Sequence, residues 1–420
     1  MERTRGARSA VVLGGVVAAA ALSVTAWQPA SAAPQADTAQ ADTAQAAELP
    51  PGLKDAVRRD LGISPQEYLE RAHSARAVAG ESQRLRNRDP QAFGAAWLAQ
   101  DGTPIIAVTT ATAAQEVRDA GFTPALVPAT AKDSAPRTAA PRVLQLKASP
   151  IGGDEYITGA GPIAQWPGYT SCSLGFTAVD SAGEPYAISA GHCDPEPAAA
   201  GIAGASGVYL HDAPGFRDST RIGRFDASTL SVGPEYLDYS VIAIDSGAPG
   251  SLAEPQVHGS GADRLAITGV ASPAVVGTPV CKSGASSAYT CGEVLAADET
   301  VPVEDADGVV VGRVRGFITS VCTLSGDSGG PMFSGTAALG IVSASDFEDP
   351  QGCGIAPSGD DGPMTIGVPV RKILDAVNAG PGEDLALRTA SNPGPPIPAG
   401  DGGGGVPGVP AGSLASVGAS

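Results

Sequence analysis

The stretch Thr323–Phe333, "TLSGDSGGPMF", places one serine, Ser328, among an aspartate and three glycines. Glycine lets a backbone approach a substrate closely and adopt conformations that other residues avoid. A serine presented in this way could be a nucleophile, and the N–H groups beside it could bind a developing oxyanion. A tight glycine-rich turn without chemistry would explain the same motif, so the rest of the chain has to decide.

A nucleophilic Ser328 needs a general base, usually histidine, and a carboxylate that fixes the imidazole tautomer. All histidines of the chain precede Ser328 in the sequence: His73, His192, His211 and His258. This order excludes the α/β-hydrolase pattern, in which the histidine follows the serine. A subtilisin-type order would need an aspartate before the histidine, whereas the order histidine, aspartate, serine remains open.

His192 is the best-placed base, because in "AISAGHCD" an apolar strand ends directly before it and Cys193 follows. A disulfide at Cys193 would fix the loop that carries the imidazole. His73 lies in a predicted helix and the two remaining histidines in polar loops, so we expect no chemistry from them. In "EYLDYSVIAID", Asp238 precedes an apolar strand and could be buried there, although taken alone it is an ordinary turn residue.

The chain of 420 residues begins with a basic and then apolar segment. Arginines precede an apolar run over Ala10–Val24, and "ASA" follows at Ala30–Ala32, which is typical of a secretory signal peptide over residues 1–32. The run is too short and too rich in Gly and Ala for a membrane span. We therefore expect a secreted, extracellular protein without a membrane partner.

The cysteines are even in number and confined to the second half of the chain. They form no C-x-x-C pair, which argues against a zinc site. In an oxidising compartment three disulfides are expected, but spacing alone supports only the short loop Cys281–Cys291. The cysteines are Cys172, Cys193, Cys281, Cys291, Cys322 and Cys353.

The formal net charge of −18 comes from one part of the chain. Acidic and basic residues balance over Ala33–Pro150, whereas acidic residues outnumber basic ones threefold over Ile151–Gly380. A surface of this sign excludes nucleic acid as a natural partner. It is compatible with a soluble extracellular protein.

The segment before Ile151 divides into a repeat and a compact module. Ala33–Glu48 contains an "ADTAQ" repeat and is predicted to be disordered, and the ordered part is predicted over about residues 50–147. A capping box at Ser64–Glu67 predicts one helix, and a second box at Thr112–Gln115 predicts another that ends at Gly121. Two strands are predicted around an Asp101–Gly102 turn.

After Ile151 the pattern changes to short β-type runs that are broken by turn residues. Such spacing predicts an antiparallel barrel or sandwich. One helix, "VRKILDAVNAG", closes this region. From Pro381 the chain is rich in Gly and Pro, and residues 381–420 are predicted to be disordered.

In order and wording, "SAGHC", "LDYSVI" and "CTLSGDSGGP" resemble the streptogrisin and α-lytic protease family of secreted bacterial chymotrypsin-like serine peptidases. The resemblance runs from "IGGDEY" through "ALGIVSAS", nearly the whole second domain. It implies a mainly β fold of two six-stranded antiparallel β-barrels, preceded by a small α/β propeptide module. The implied domains are a signal peptide (1–32), a propeptide (33–150), a serine peptidase domain (151–380) and a tail (381–420).

The resemblance also implies roles. Ser328 would be the nucleophile, His192 the base, and Asp238 the residue that orients it, while the N–H groups of Gly326 and Ser328 form the oxyanion hole. The implied disulfides are Cys172–Cys193, Cys281–Cys291 and Cys322–Cys353. The chemistry needs no metal or other cofactor. We expect a monomer that acts on proteins or peptides, with its own propeptide as folding aid and inhibitor.

A different class of function is a binding protein on the same barrels with a silent site. It predicts a broken triad, whereas all three positions are filled. The resemblance places the primary substrate pocket between two segments: Thr323, Leu324 and Ser325, and Val342, Ser343, Ala344 and Ser345. Cys322 stands where a basic-specific pocket needs a carboxylate, and Val342 where a glutamate-specific one has a histidine. Ala344 and Ser345 should narrow the mouth, which favours small to medium apolar side chains.

Asp327, beside the proposed nucleophile, is expected to be buried and to need a cation. Arg315, a short span upstream, is our first candidate, and Arg313 the alternative. An internal cation predicts that mature forms starting a few residues either side of Ile151 are equally active. We expect cleavage between Lys147 and Ile151.

Overall fold

The computed structural model describes most of the chain between residues 42 and 397. The predicted signal peptide, the residues from Lys147 to Ser149 within the expected cleavage region, and the end of the tail lie outside the described residues. The described residues are 42, 44–127, 150–202, 205–213, 215–232, 235–258, 263–271, 273–304, 310–346, 353, 364–380 and 384–397. None of the described helices is both long and apolar enough to span a bilayer.

The N-terminal module, which we define as residues 44–127, packs helices against a three-stranded sheet. In that sheet β1 and β2 are antiparallel and β3 joins β2 in parallel. The elements are α1 (Pro51–Ala56), a π-helical turn (Val57–Leu61), α2 (Pro65–Arg88), β1 (Phe93–Leu98), β2 (Pro104–Val108), α3 (Ala111–Asp119) and β3 (Thr123–Leu126).

The N-cap of the first predicted capping box is confirmed, because the Ser64 side chain accepts a hydrogen bond from Glu67 N at 3.0 Å. The second was placed two residues too late. Thr110 is the N-cap of α3 and accepts from Ala113 N at 3.2 Å, since its backbone is extended while Thr112 is already helical. The helix ends before Gly121, whose φ of 88° lies in the region that favours glycine.

The predicted disorder of Ala33–Glu48 is wrong at its end. Residues 44–48 are helical, and Leu49 is buried against the core that the module shares with the second barrel. Gln45 Nε2 donates to Thr336 Oγ1 at 3.2 Å. The composition of the repeat hid this, because an alanine-rich helix is stable once a neighbouring surface covers its apolar side.

The first barrel closes as a ring of antiparallel strands when β5 and β6, three residues apart, count as one interrupted strand. Around the ring, β4 pairs with β5, β6 with β7, β7 with β10, β10 with β9, β9 with β8, and β8 with β4. The strands are β4 (Glu155–Thr158), β5 (Thr170–Ser173), β6 (Thr177–Val179), β7 (Pro185–Ser189), β8 (Gly207–Leu210), β9 (Arg221–Val232) and β10 (Leu237–Ile244).

The second barrel is a closed ring of six strands in the order β14, β15, β16, β19, β18, β17. A helix, α4 (Val370–Val377), follows its last strand, and β13 extends β18 in parallel. The strands of this half are β11 (Gln256–His258), β12 (Arg264–Ala266), β13 (Gly269–Val270), β14 (Pro279–Lys282), β15 (Thr290–Glu304), β16 (Val310–Thr319), β17 (Pro331–Ser334), β18 (Ala337–Ser345) and β19 (Thr365–Pro369). The fold is therefore mainly β, with two barrels and a preceding α/β module, as expected.

The expected disorder from Pro381 does not hold for the C-terminal segment, which we define as residues 384–397. Its strand β20 (Ala386–Leu387) pairs with β6 of the first barrel. Leu385 and Leu387 are buried, and so is Arg388, whose guanidinium donates to the backbone oxygens of Ala178, Ala253, Pro393 and Pro395. Composition misled here, because a few apolar side chains suffice to fix a Gly/Pro-rich segment on an existing edge.

The N-terminal module packs against the second barrel. Gly335 N donates to the Tyr68 hydroxyl at 2.9 Å, and Arg76 donates to Ser334 O at 3.2 Å. Leu98 N donates to Val276 O at 2.8 Å, which joins the end of β1 to the segment just before β14. The contact therefore combines side chains of α2 with the edge of β1.

Candidate active site

His192 lies in a short 3-10 turn, Gly191–Cys193, that follows β7 directly. A Cβ on Gly191 would lie 1.9 Å from Thr229 O of β9, so only glycine lets the turn pack this closely. The disulfide Cys172–Cys193 ties the same turn to β5. The imidazole is thus held on a rigid turn and remains one-third exposed (33 %).

Asp238, the second residue of β10, is fully buried and faces this turn. It accepts hydrogen bonds from the backbone N–H of His192 at 2.9 Å and from its Nδ1 at 2.8 Å. A carboxylate on Nδ1 places the ring proton there, which leaves Nε2 able to accept one. The predicted pair of His192 and Asp238 is therefore present in the structure.

The charges of the pair shift both pKa values. Burial lowers the pKa of His192, but the charge of Asp238 and its hydrogen bond outweigh burial, so this pKa is raised above its usual value. Burial raises the pKa of Asp238. The charge of His192 and the hydrogen bonds from His192 and Ser343 outweigh the effect of burial, so the pKa of Asp238 is lowered below its usual value. The carboxylate stays ionised, and the imidazolium is stabilised whenever it forms.

Ser343, expected in the wall of the substrate pocket, also touches the carboxylate. Its hydroxyl donates to Asp238 Oδ2 at 2.5 Å from the middle of β18, and the side chain is buried. Sequence reasoning missed this contact. The available signal was the pair of serines at the end of an otherwise apolar strand, "AALGIVSAS", since a buried hydroxyl needs a hydrogen-bond partner.

Ser328 lies in a turn between β16 and β17 and is half-buried. The turn is closed by Asp327 N donating to Leu324 O and by Gly330 N donating to Asp327 O, both at 2.9 Å. Among the described residues, the N–H groups of Gly326 and Ser328 donate to no acceptor. Gly326 has a φ of 94°, which favours glycine and explains why this residue is needed there.

Gly329, in the turn that carries Ser328, packs closely against the first barrel. A Cβ at this position would lie 2.0 Å from Ser189 Oγ and 2.8 Å from Ala190 N, two residues before His192. Ser173 N of β5 donates to Ser328 O at 2.8 Å. The nucleophile candidate from one barrel therefore lies beside the imidazole-bearing turn of the other.

Asp327 is fully buried, as expected, but its cation is Lys282 rather than Arg315. The Lys282 ammonium is also fully buried and lies 3.0 Å from Asp327 Oδ2. Arg315 points to the surface and pairs with Asp298 at 2.6 Å, so the expectation was wrong. Burial lowers the pKa of Lys282, against the attraction of Asp327. Proximity in sequence misled us, because the direction of β16 carries Arg315 away.

The other donors to Asp327 come mainly from the disulfide loop, which we define as Cys281–Cys291. Ser286 N and Ser287 N donate to Oδ1 at 2.9 and 3.0 Å, and the Ser287 hydroxyl donates to Oδ2 at 2.5 Å. Leu324 N donates to Oδ2 at 2.9 Å. A carboxylate with this many donors is well satisfied, and it fixes the turn that carries Ser328.

The structure pairs the cysteines as the resemblance implied: Cys172 with Cys193, Cys281 with Cys291, and Cys322 with Cys353. The first pair lies close to the His192 ring. Because both sulfurs are bonded to each other, they offer no thiolate to a metal ion.

The remaining histidines lie beside carboxylates other than Asp238. His73 Nδ1 is 2.8 Å from Asp42, and the same atom of His211 is 3.2 Å from Glu155. His258 is buried, with Nδ1 3.6 Å from Asp154. The structure therefore brings one histidine, His192, together with Asp238 and the Ser328 turn.

The expected pocket walls come from two places in the second barrel. Leu324 packs against the Cys322–Cys353 disulfide, Ser325 is exposed and Val342 is fully buried. Ala344 and Ser345 are half-buried at the end of β18. Sequence reasoning missed Thr365, the buried partner of Ser345 in the register of β18 and β19.

Comparison with known proteins matches both parts of the chain. A model described as "Alpha-lytic protease pro N-terminal" matches residues 66–127, and one described as "Trypsin" matches residues 182–358. The chain is 36% identical to Streptogrisin-D of Streptomyces griseus over 44% of this chain and 40% of that protein, less than half of its length. It is 28% identical to Streptogrisin-C of the same species, over 82% of this chain and 79% of that one.

A third relative is covered almost completely. The chain is 32% identical to Glutamyl endopeptidase 2 of Streptomyces griseus over 52% of this chain and 96% of that protein. The chain therefore belongs to the streptogrisin and α-lytic protease family of bacterial chymotrypsin-like serine peptidases. It is a serine protease with a propeptide domain, and residues 66–127 of the N-terminal module match the propeptide model.

Proposed function

We propose that the chain is the precursor of a secreted serine endopeptidase that uses Ser328, His192 and Asp238 as its catalytic triad. The observation that carries the proposal is the buried Asp238, which accepts two hydrogen bonds from His192 beside the turn of Ser328. A silent binding protein on the same scaffold has no need for such a pair. The proposed enzyme is monomeric and cleaves proteins or peptides.

In the proposed mechanism Ser328 Oγ attacks the carbonyl carbon of the scissile peptide bond. His192 Nε2 takes the hydroxyl proton and then gives it to the departing amine, while Asp238 holds the proton on Nδ1. Water attacks the resulting acyl-enzyme by the same route in reverse. The residues present carry out every proton transfer.

The N–H groups of Gly326 and Ser328 form the proposed oxyanion hole. Their lack of acceptors among the described residues supports this role, because donors that are free in the resting enzyme need no rearrangement when charge develops. Each such donor contributes about 3–4 kcal/mol to transition-state stabilisation. Asp327 keeps both groups in place through its contacts with Lys282 and the disulfide loop.

Because Lys282 is internal, we propose that the active arrangement does not depend on a newly cut N-terminus. In the described residues, Ile151 N donates to Asp154 Oδ2 at 2.9 Å, which is a different carboxylate from Asp327. Self-cleavage between Lys147 and Ile151 would then yield mature forms of equal activity, even when they start a few residues apart.

For the acyl side of the cleaved bond we propose small to medium apolar residues such as Ala, Val or Leu. The pocket walls named above carry no charged side chain, so a buried substrate charge would lack its partner. Ser345 and the buried Thr365 face each other across β18 and β19, which narrows the space further. A series of peptides that differ only at this residue tests the proposal, and an optimum at Glu, Arg or Phe would contradict it.

The propeptide is proposed to assist folding, to inhibit the enzyme and to leave after cleavage. The whole proposal is tested by titrating the secreted protein with a fluorophosphonate. We expect one labelled serine per molecule, at Ser328, and none in a Ser328→Ala variant. Labelling at another serine would assign the nucleophile to that residue, and no labelling would favour the silent binding protein.

A further inference from the structure

The π-helical turn of the N-terminal module contacts the disulfide loop at two backbone groups. Asp60 Oδ2 accepts a hydrogen bond from Cys291 N at 2.8 Å, and Arg59 donates to Tyr289 O at 3.0 Å. The two side chains also bind each other, with Arg59 Nη2 2.7 Å from Asp60 Oδ2. The Asp60 side chain is almost fully buried (1 % exposed).

These contacts lie at the end of the same loop that surrounds Asp327. Tyr289 and Cys291 follow Ser286 and Ser287, whose N–H groups donate to the Asp327 carboxylate. Lys282 is the second residue of the loop, and the charge of Asp60 also attracts its ammonium. The module therefore holds one end of a short loop whose middle holds the residue next to the nucleophile.

Such a loop is costly to order, because each residue fixed in one conformation loses entropy. The compensating stabilisation comes from the contacts to Asp327, and these form only when Lys282 and the loop amides all reach its carboxylate. Until then Asp327 would be buried with Leu324 N as its donor but without its cation and the loop amides, which is strongly unfavourable. An external acceptor for Cys291 N and an external donor for Tyr289 O set the end of the loop before this convergence is complete.

We propose that Arg59 and Asp60 place the disulfide loop so that it closes on Asp327 and builds the oxyanion hole. This rests on the proposed function above and gives the folding role of the propeptide two specific residues. The disulfide loop therefore binds a propeptide turn whose adjacent guanidinium and carboxylate groups contact Tyr289 O and Cys291 N.

The residue that precedes Arg59 offers a matched control. Arg58 lies on the same turn, is exposed, and pairs only with the exposed Asp55 among the described residues. A second reference is Arg76, which contacts Ser334 O of the second barrel and not the disulfide loop itself. Arg58→Ala reports general effects on the turn, and Arg76→Ala reports weaker docking.

The experiment is amide hydrogen exchange on the full chain that carries Ser328→Ala. Asp60→Ala and Arg59→Ala should each speed exchange at Ser286 and Ser287 by about tenfold or more, the factor that corresponds to one lost hydrogen bond to a charged group. Arg58→Ala should stay within about twofold. Unchanged exchange in both loop variants would overturn the proposal, and so would an equal increase with Arg76→Ala. If Asp60→Ala fails to fold, Arg59→Ala decides.

A second readout uses the chain with Ser328 intact. Asp60→Ala and Arg59→Ala should lower the yield of fluorophosphonate-titrated sites by about tenfold, with kcat/KM per titrated site unchanged once the propeptide has left. A fall in kcat/KM per site would show that the residues act on the finished enzyme and would overturn the proposal. Absence of labelling in the unsubstituted chain would instead contradict the proposed function, and the exchange result would stand independently.

Discussion

The N-terminal module and the C-terminal segment both cover a barrel, but they differ in how they are stabilised. The module has its own apolar core, which includes Val78, Leu85 and Ile106 and receives Val275 from the second barrel. The C-terminal segment has no core of its own among the described residues. Its apolar side chains, such as Leu387 and Ile397, are buried only against the barrels.

This difference suits the proposed fates of the two regions. A unit with its own core can dock, act and then leave, whereas so short a segment cannot stay folded alone. The module also contacts the barrel through carbonyls such as Ser334 O and Tyr289 O, which water can satisfy after release. Arg388 of the segment is enclosed by carbonyls in the protein interior.

The largest expected effect concerns the residues that the two barrels contribute jointly. Ser328→Ala or His192→Ala should each lower kcat by about a millionfold, and Asp238→Asn by about ten-thousandfold, because the triad acts as a unit. Steady-state kinetics on purified protein measures this. Ser181→Ala, an exposed serine in the β6–β7 turn, serves as the control and should keep full activity. Appreciable turnover by Ser328→Ala would remove it from the nucleophile role.

The next effect tests the cation of the second barrel. Lys282→Met leaves the buried Asp327 without its charge partner, so the free energy of unfolding of the Ser328→Ala chain should fall by about 3–5 kcal/mol. Arg315→Met removes a surface pair and should cost less than about 1 kcal/mol. Denaturant titration compares the two variants. If Arg315→Met lowered the free energy of unfolding more than Lys282→Met, Arg315 and not Lys282 would be the cation that stabilises Asp327.

Truncation tests the C-terminal segment directly. In the Ser328→Ala background, a chain that stops after Gly380 should be less stable than one that stops after Ile397, because a fully buried leucine contributes about 1.5–3 kcal/mol. We expect Tm to fall by several degrees, about 2–4 °C for each kcal/mol. Hydrogen exchange should rise in β6 and stay unchanged in α2. Equal melting temperatures would show that the segment does not stabilise the first barrel.

A smaller effect is expected at Ser343 of the second barrel, whose hydroxyl donates to the Asp238 carboxylate of the first barrel. Ser343→Ala removes the hydroxyl that donates to Asp238, and kcat/KM should fall by about tenfold, as for one hydrogen bond to a charged group. Ser345→Ala, two residues along β18, should change the preference among acyl-side residues without this loss. Equal losses of kcat/KM in the two variants would contradict this prediction.

The pH dependence gives the finest test. His192 must be neutral to act as a base, and its pKa is raised by Asp238, so kcat/KM should rise through a midpoint above the ordinary histidine value of 6.5. Asp238→Asn removes that charge and leaves burial, which lowers the pKa, so the residual activity should extend to lower pH. A pH profile of both proteins measures the shift. An unchanged midpoint would show that Asp238 does not set it.

The sequence by itself determined what depends on residues close together or on their order. The cap at Ser64, the alternating β pattern and the short Cys281–Cys291 loop are local signals. The order of His192, Asp238 and Ser328, with their flanking motifs, was enough to name the candidate site and the family. The cation of Asp327 and the hydroxyl on Asp238 had to await the fold.

The tertiary structure decided which distant groups share a buried charge. Arg315 is closer than Lys282 to Asp327 in sequence, yet closure of the barrel brings Lys282 to the carboxylate and directs Arg315 outward. The same holds for Ser343 on Asp238 and for Arg388 among its carbonyls. A buried polar group must find a partner, but which residue supplies it depends on how strands far apart in the chain pack together.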